Sequence, residues 1–193
     1  MTGGTDDDLE AAYIGDPPIH NDVVHLVEYQ PIWPEQFQRE AGRIRVALGS
    51  RALSIDHVGS TSVPGLAAKP IIDIALTIAD SANEAAYVPD LEAAGYQLRI
   101  REPDWYEHRL FKGPEADVNV HVFSRDCVEV ERMIVFRDRL RTNDDDRRLY
   151  ERTKRELASR RWKYVQHYAN AKSDVIATIL NHSEIDNDRP APQ

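Results

Sequence analysis

"HVGSTSVPGLAAKPIIDIALTI", residues 57–78, is the stretch on which the fold turns. A glycine-serine turn leads through a short loop into an apolar run that holds one carboxylate, Asp73. Residues 70–78 are apolar enough for a central strand covered on both faces. Strand alternation puts Ile71, Asp73, Ala75 and Thr77 on one side and Ile72, Ile74, Leu76 and Ile78 on the other. An unpaired buried carboxylate is costly, so Asp73 needs a partner. The partner is either the backbone N–H groups of the preceding loop, a cation or a metal.

The loop suits an anion. Gly59, Ser60, Thr61 and Ser62 bring backbone N–H groups close to a phosphate, with hydroxyls as further donors. Pro64 and Gly65 fit a type II turn, and Lys69 supplies a counter-charge. A glycine-serine turn followed about a dozen residues later by an aspartate in an apolar strand resembles the polymerase-β-type nucleotidyltransferase signature. That resemblance implies a turn that holds a nucleoside triphosphate and a strand acid that binds Mg²⁺ or another divalent metal. The second acid of that signature would fall at position 75, where this chain has alanine.

Outward from this block the periodicities describe one domain. "PIWPEQFQREAGRIRVALGS" reads as a helix with Pro34 in its first turn and Gly49 at its end. Residues 52–58, "YQLRI", "HRLFKG" and 117–123 read as further strands, with a helix near Pro89 ended by Gly95. Val128 to about His182 reads as helical in three pieces. The expected class is α+β: a small mixed sheet packed by helices, with C-terminal helices. Residues 1–24 hold six acids and no lysine or arginine, and are expected to form a flexible lead before a domain at 25–185; 186–193 reads as a flexible tail.

Composition narrows the class. The net charge of −9 argues against general nucleic-acid affinity. No apolar run is long enough to span a bilayer, and the first residues lack the basic and apolar regions of a signal peptide. A single cysteine, Cys127, excludes an intramolecular disulfide, and a reducing cytoplasm is expected. Residues 137–163 nevertheless hold eleven Lys/Arg against six Asp/Glu. Either this is a solvated helix face or some of its cations meet an anionic ligand.

Arg137 and Arg141 share one helical face and offer phosphate contacts, with pairing to Asp138 or Asp144–Asp146 as the alternative. His121 lies on the polar side of its strand, either as a structural histidine or as a metal ligand or general base beside Asp73. His57 can orient Asp73 or the turn. Trp105 and Tyr106 form either a lid or a surface loop, and Tyr29, Trp33 and Phe37 read as core.

The sequence also resembles the GrpB family of uncharacterised proteins (UPF0157), whose fold is nucleotidyltransferase-like. The resemblance rests on "YQPIWPEQFQREAGRI", "IDHVGSTSVPGLAAKPIIDI", "VNVHVF", "VFRDRLR" and "YANAKSDVIATIL", in that order, from about Glu28 to about Asn181. An apolar residue after Asp-Ile is usual in the family. A His-x-His is common where this chain has Asn119-Val120-His121, so only His121 matches. Lys172 matches a family lysine and becomes a further phosphate contact, and Arg109 on "HRLF" is a last candidate. What the resemblance implies is transfer of a nucleotide from an NTP, ATP first among them, to a small-molecule acceptor, with Asp73 and His121 at the metal. Two alternatives stay open. One is a non-catalytic accessory, since GrpB-like domains occur fused to dephospho-CoA kinase. The other is an ATP-dependent ligase using the same pocket.

Overall fold

The computed structural model describes residues 5–114 and 117–187. Five strands form one mixed sheet: β1 (Ser54–Val58), β2 (Ile72–Ile78), β3 (Gln97–Glu102), β4 (His108–Lys112) and β5 (Val118–Ser124), in the order β1-β2-β5-β4-β3. β2 and β5 run parallel, and every other neighbouring pair is antiparallel. β2 has a partner on each edge and a layer on each face, which is why its sequence is nearly continuous in apolar residues. The α+β class expected from the sequence is the class observed.

One face of the sheet packs on α2 (Trp33–Leu48) and α3 (Val88–Ala93). α2 buries Trp33, Phe37, Ala41, Ile44 and Leu48 along one side, carries Pro34 in its first turn, and closes with the Gly49 N–H donating to Arg45 O. This stripe meets Ile72, Ile74, Leu76 and Ile78 together with Val118, Val120 and Val122. Each such side chain stabilises the fold by about 1.5–3 kcal/mol on full burial.

The opposite face is only partly covered. Val58, Ala75 and Phe123 lie under Val130, Met133 and Ile134 of α4 (Val128–Thr142), with Trp105 alongside. α5 (Asp144–Ala158), α6 (Val165–Asn170) and α7 (Ser173–Asn187) complete the C-terminal layer. Val63 and Leu66, in the β1–β2 loop, are buried against Leu140, Tyr150 and Ile179 of that layer. The loop after the glycine-serine turn is therefore clamped by packing.

Two local expectations change together. The acidic lead, read as mobile, forms α1 (Asp6–Ala12), capped by Thr5, and buries Leu9. Tyr13 bridges to Ile100 on β3, and Asp6 pairs with Lys163 and His167. Beyond α1 the lead crosses the end of α5: Val24 N–H donates to Ala158 O, Trp162 N–H to Asp22 O, and His20 N–H to Lys163 O. Those bonds use the backbone groups that would have carried α5 into α6. The C-terminal region accordingly has four helices where three were expected. Residues 1–4 of the lead and 188–193 of the tail lie outside the described residues. Among the described residues no helix is long and apolar enough to cross a membrane.

Candidate active site

Asp73 sits on the partly open face, where β2 pairs with Val58 of β1 on one side and Asn119 of β5 on the other. Its side chain is 28% exposed. Asn119 Nδ2 donates to Asp73 Oδ1 at 2.7 Å, and Lys112 Nζ donates to Asn119 Oδ1 at 2.5 Å. A carboxylate only accepts and an ammonium only donates, so the amide orientation of Asn119 is fixed by its two neighbours. His121 Nε2 lies 3.7 Å from Asp73 Oδ1. Burial alone would raise the Asp73 pKa. The neighbouring His121 in its imidazolium form, the Asn119 amide and the charge of Lys172 outweigh it and hold the carboxyl below its usual value.

Cations outnumber the acid here. Lys69, Lys112 and Lys172 all act electrostatically on or with Asp73. Burial, and then the charge of Lys112, push Lys69 down to about 8, with Lys172 acting in the same direction and Asp73 opposing. Burial lowers Lys172 as well, against the pull of Asp73, and its ammonium stands 4.8 Å over the Tyr168 ring. Behind the loop, buried Lys154 donates to Ala67 O. Asp73, with the exposed Asp117 acting on Lys69 and Lys112 from the rim, faces three lysines, so the basin keeps surplus positive charge that an anion would neutralise.

The turn is built differently from the sequence expectation. Its hydroxyls are spent inside the protein: Ser62 Oγ donates to Gly59 O at 2.5 Å, Thr61 Oγ1 donates to Ile71 O at 2.9 Å, and Ser60 bonds Tyr150. What the turn can offer a ligand is backbone N–H. Arg137 and Arg141 brace it from α4. Arg137 donates to His57 O at 3.2 Å and pairs with Asp138; Arg141 donates twice to Ser62 O and also reaches Asp138. Arg109 is not in the basin. It registers with Val122, on the face occupied by α2, and pairs with Glu84 at 2.6 Å. Strand parity explains this, because β4 turns His108, Leu110 and Lys112 to the Asp73 face and Arg109 and Phe111 away.

Among the described residues no group of three or more His, Cys, Asp or Glu could hold a metal ion. Asp73 Oδ1 already accepts from Asn119, the Asp56 carboxylate stands 4.0 Å from Arg137, and Ala75 is fully buried. One carboxylate and one imidazole among three lysines do not fit a resident Mg²⁺, which requires oxygen ligands in octahedral array.

Sequence reading missed His108 and Glu102. His108 is fully buried between Trp105, Phe123 and His121, and its Nδ1 lies 2.7 Å from Glu102 Oε2. Trp105, expected as lid or loop, walls this histidine, and Tyr106 is exposed. The signal that could have found His108 is its alternation with Lys112. His57 faces the other way, stacked on Phe37 at 4.8 Å with Nε2 against Thr61 Oγ1 at 3.1 Å.

Gly59 is required by contact and by conformation. It has φ +68° and ψ −175°, a region open essentially to glycine alone. A Cβ there would lie 2.5 Å from Asp73 Oδ2. Gly59→Ala is expected to cost about 3 kcal/mol or more and to displace Asp73. Gly65→Ala is the control. It has φ +77° with no atom within 4 Å of the built Cβ, so it carries only the conformational part, about 1 kcal/mol. Urea unfolding of both variants compares them, and equal losses would remove the Asp73 contact from the account.

Comparison with known proteins follows the same residues. The family model described as GrpB protein matches residues 23–182. A UPF0157 protein of Halalkalibacterium halodurans is 56% identical over 182 residues, covering 94% of this chain and 93% of that one. A dephospho-CoA kinase of Mycolicibacterium paratuberculosis is 49% identical over 76 residues, 38% of this chain and 19% of the kinase. The crystal structure of conserved protein GrpB from Enterococcus faecalis superimposes with a TM-score of 0.74 at 32% identity, over 86% of this chain and all of that one. By sequence along nearly its whole described length, and by fold, the chain belongs to the GrpB family.

Proposed function

We propose that the basin beside Asp73 binds the polyphosphate of a nucleotide and that the chain transfers a nucleotidyl group from it to a small-molecule acceptor. The observation that carries this reading is the charge imbalance: Lys69, Lys112 and Lys172 converge on one carboxylate next to a tight glycine turn. The lysines supply charge neutralisation for the phosphates and for the leaving pyrophosphate. The acceptor oxygen attacks the α-phosphorus, its proton passes to His121 Nε2, and the bond to pyrophosphate breaks. Asp73 stabilises the imidazolium so formed.

A thermal-shift screen with ATP, CTP, GTP and UTP, each with and without Mg²⁺, tests it. A triphosphate at a hundred times its Kd should stabilise the protein by about 2.7 kcal/mol, or roughly 5–10 °C at this size. Lys69→Met with Lys172→Met should abolish the shift without lowering the stability of the free protein, because it removes two half-buried, mutually repelling charges. Asp73→Asn should keep triphosphate binding and lose pyrophosphate release. No shift with any nucleotide overturns the reading. A shift that needs Mg²⁺ and disappears in Asp73→Asn would instead point to metal at the carboxylate. The kinase match favours a second reading, a non-catalytic accessory module, and that reading predicts no shift with any triphosphate.

A further inference from the structure

We propose that Glu102 and His108 are positioning residues that hold His121 in the Nδ1–H tautomer, so that its Nε2 is the basic atom turned toward Asp73. The inference rests on the transfer chemistry above for its purpose, but not for its geometry.

Four side chains from four strands form a chain on the open face. Glu102 Oε2 is 2.7 Å from His108 Nδ1, His108 Nε2 is 3.1 Å from His121 Nδ1, and His121 Nε2 is 3.7 Å from Asp73 Oδ1. The polarity of this chain follows from what each atom can do. The Glu102 carboxylate only accepts, so His108 Nδ1 carries hydrogen. A neutral imidazole carries one hydrogen, so His108 Nε2 presents a lone pair. His121 Nδ1 must then donate to it, and the neutral His121 ring is left with a bare Nε2. Burial, opposed by the Glu102 hydrogen bond, brings the His108 pKa down to about 4, which keeps that ring neutral.

The chain is rigidly mounted. The rings of His108 and His121 stack at 5.2 Å and 22°, Phe123 lies 4.8 Å from His108 on a second side, and Trp105 meets it edge-on at 5.1 Å. Glu102 reaches His108 because the β3–β4 register shifts between Leu98 and Ile100. One extra residue on β3 switches which of its side chains share a face with His108. Without that shift Glu102 would stand on the α2 side. When the acceptor O–H gives its proton to Nε2 as the new O–P bond forms, the positive charge lies between Asp73 and His108 without any ring rotation.

The test is a two-bond ¹H–¹⁵N correlation on full-length, histidine-labelled protein at about pH 8.5, with His121 assigned by its loss in His121→Asn. His121 should show a protonated Nδ1 and a bare Nε2. Glu102→Ala should convert it to the Nε2–H pattern. Glu102→Gln, whose amide oxygen still accepts from His108, should retain the native pattern. His108→Phe, which keeps a packed ring but removes the acceptor, should behave as Glu102→Ala and serves if that variant does not fold. An Nε2–H His121 in the native protein, or an unchanged pattern in the folded variants, overturns the proposal. The native tautomer in a protein that binds no triphosphate would sink the transferase reading alone. Triphosphate binding with the opposite tautomer would sink the relay alone.

Discussion

Ala75→Asp is expected to destabilise the protein by about 4 kcal/mol or more and to gain no metal site. Position 75 is where a nucleotidyltransferase signature would place its second acid, so the substitution looks like a repair. The packing says otherwise. Ala75 is fully buried with Val58, Phe123 and Val130, under α4. A carboxyl confined there must stay protonated at neutral pH, at about 1.4 kcal/mol for each unit its pKa rises, with overpacking of about 1–3 kcal/mol added. Its cross-strand neighbours are Asp56 on β1 and His121 on β5. Asp56 repels it, and His121 is already engaged by Asp73 and His108. Urea unfolding of Ala75→Asp with and without Mg²⁺ reads the result. A variant as stable as the native chain, or one that Mg²⁺ rescues, would show that the face can open and that the alanine is a lost ligand. The expected loss means instead that in this chain α4 has closed the position.

What could be read ahead of the structure was whatever depends on local periodicity. The strand through Asp73, the alternation of Asn119, His121 and Phe123, and the helix from Pro34 to Gly49 needed only spacing and end signals, and they stand as read. The close approach of Gly59 to Asp73 follows from a turn that only glycine permits. The failures are all long-range. Arg109 was a candidate and His108 was not, although one residue separates them, because the side facing Asp73 is set by the β4–β5 register. Glu102 reaches His108 only through a register shift that no local pattern announces. Lys112 joins the basin through the bridging amide of Asn119, a contact between neighbouring strands. Arg137 and Arg141 of α4 reach the turn only in three dimensions, and their donors are directed at carbonyl oxygens and at Asp138. The helix within the acidic lead has no local signature, because charge density resembles disorder until Lys163 and His167 are known to lie opposite Asp6.

Mild acid should unfold this protein before its carboxylates are protonated. His57 and His108 are buried in the sheet, one against Phe37 and the other against Phe123 and Trp105. Burial first, with the nearby Arg141 and Arg137 adding and Asp73 opposing, takes His57 down to about 4. His108 falls to about 4 for the reasons given above. Between pH 6.5 and 4 the unfolded chain therefore binds a proton at each ring while the folded chain binds neither, so stability falls as pH falls. The stabilisation is complete above pH 6.5 and is lost as pH drops through about 4. Each ring accounts for about 3 kcal/mol across the window, and two together approach the net stability of an ordinary domain, about 5–15 kcal/mol. Carboxyls held below their usual values, such as Asp73, Glu84 and Asp138, add their loss at lower pH. Buried Lys154, brought down to about 7 by burial, titrates above the window. Unfolding free energies from urea titrations at about pH 7 and about pH 4.5 should differ by about 5 kcal/mol in the native chain. The double variant His57→Phe, His108→Phe should flatten that difference while keeping both rings packed. A native protein equally stable at the two pH values would mean that water or a counter-charge reaches these histidines, and the hydrogen polarity assigned to the Glu102–His108–His121 chain would fall with it.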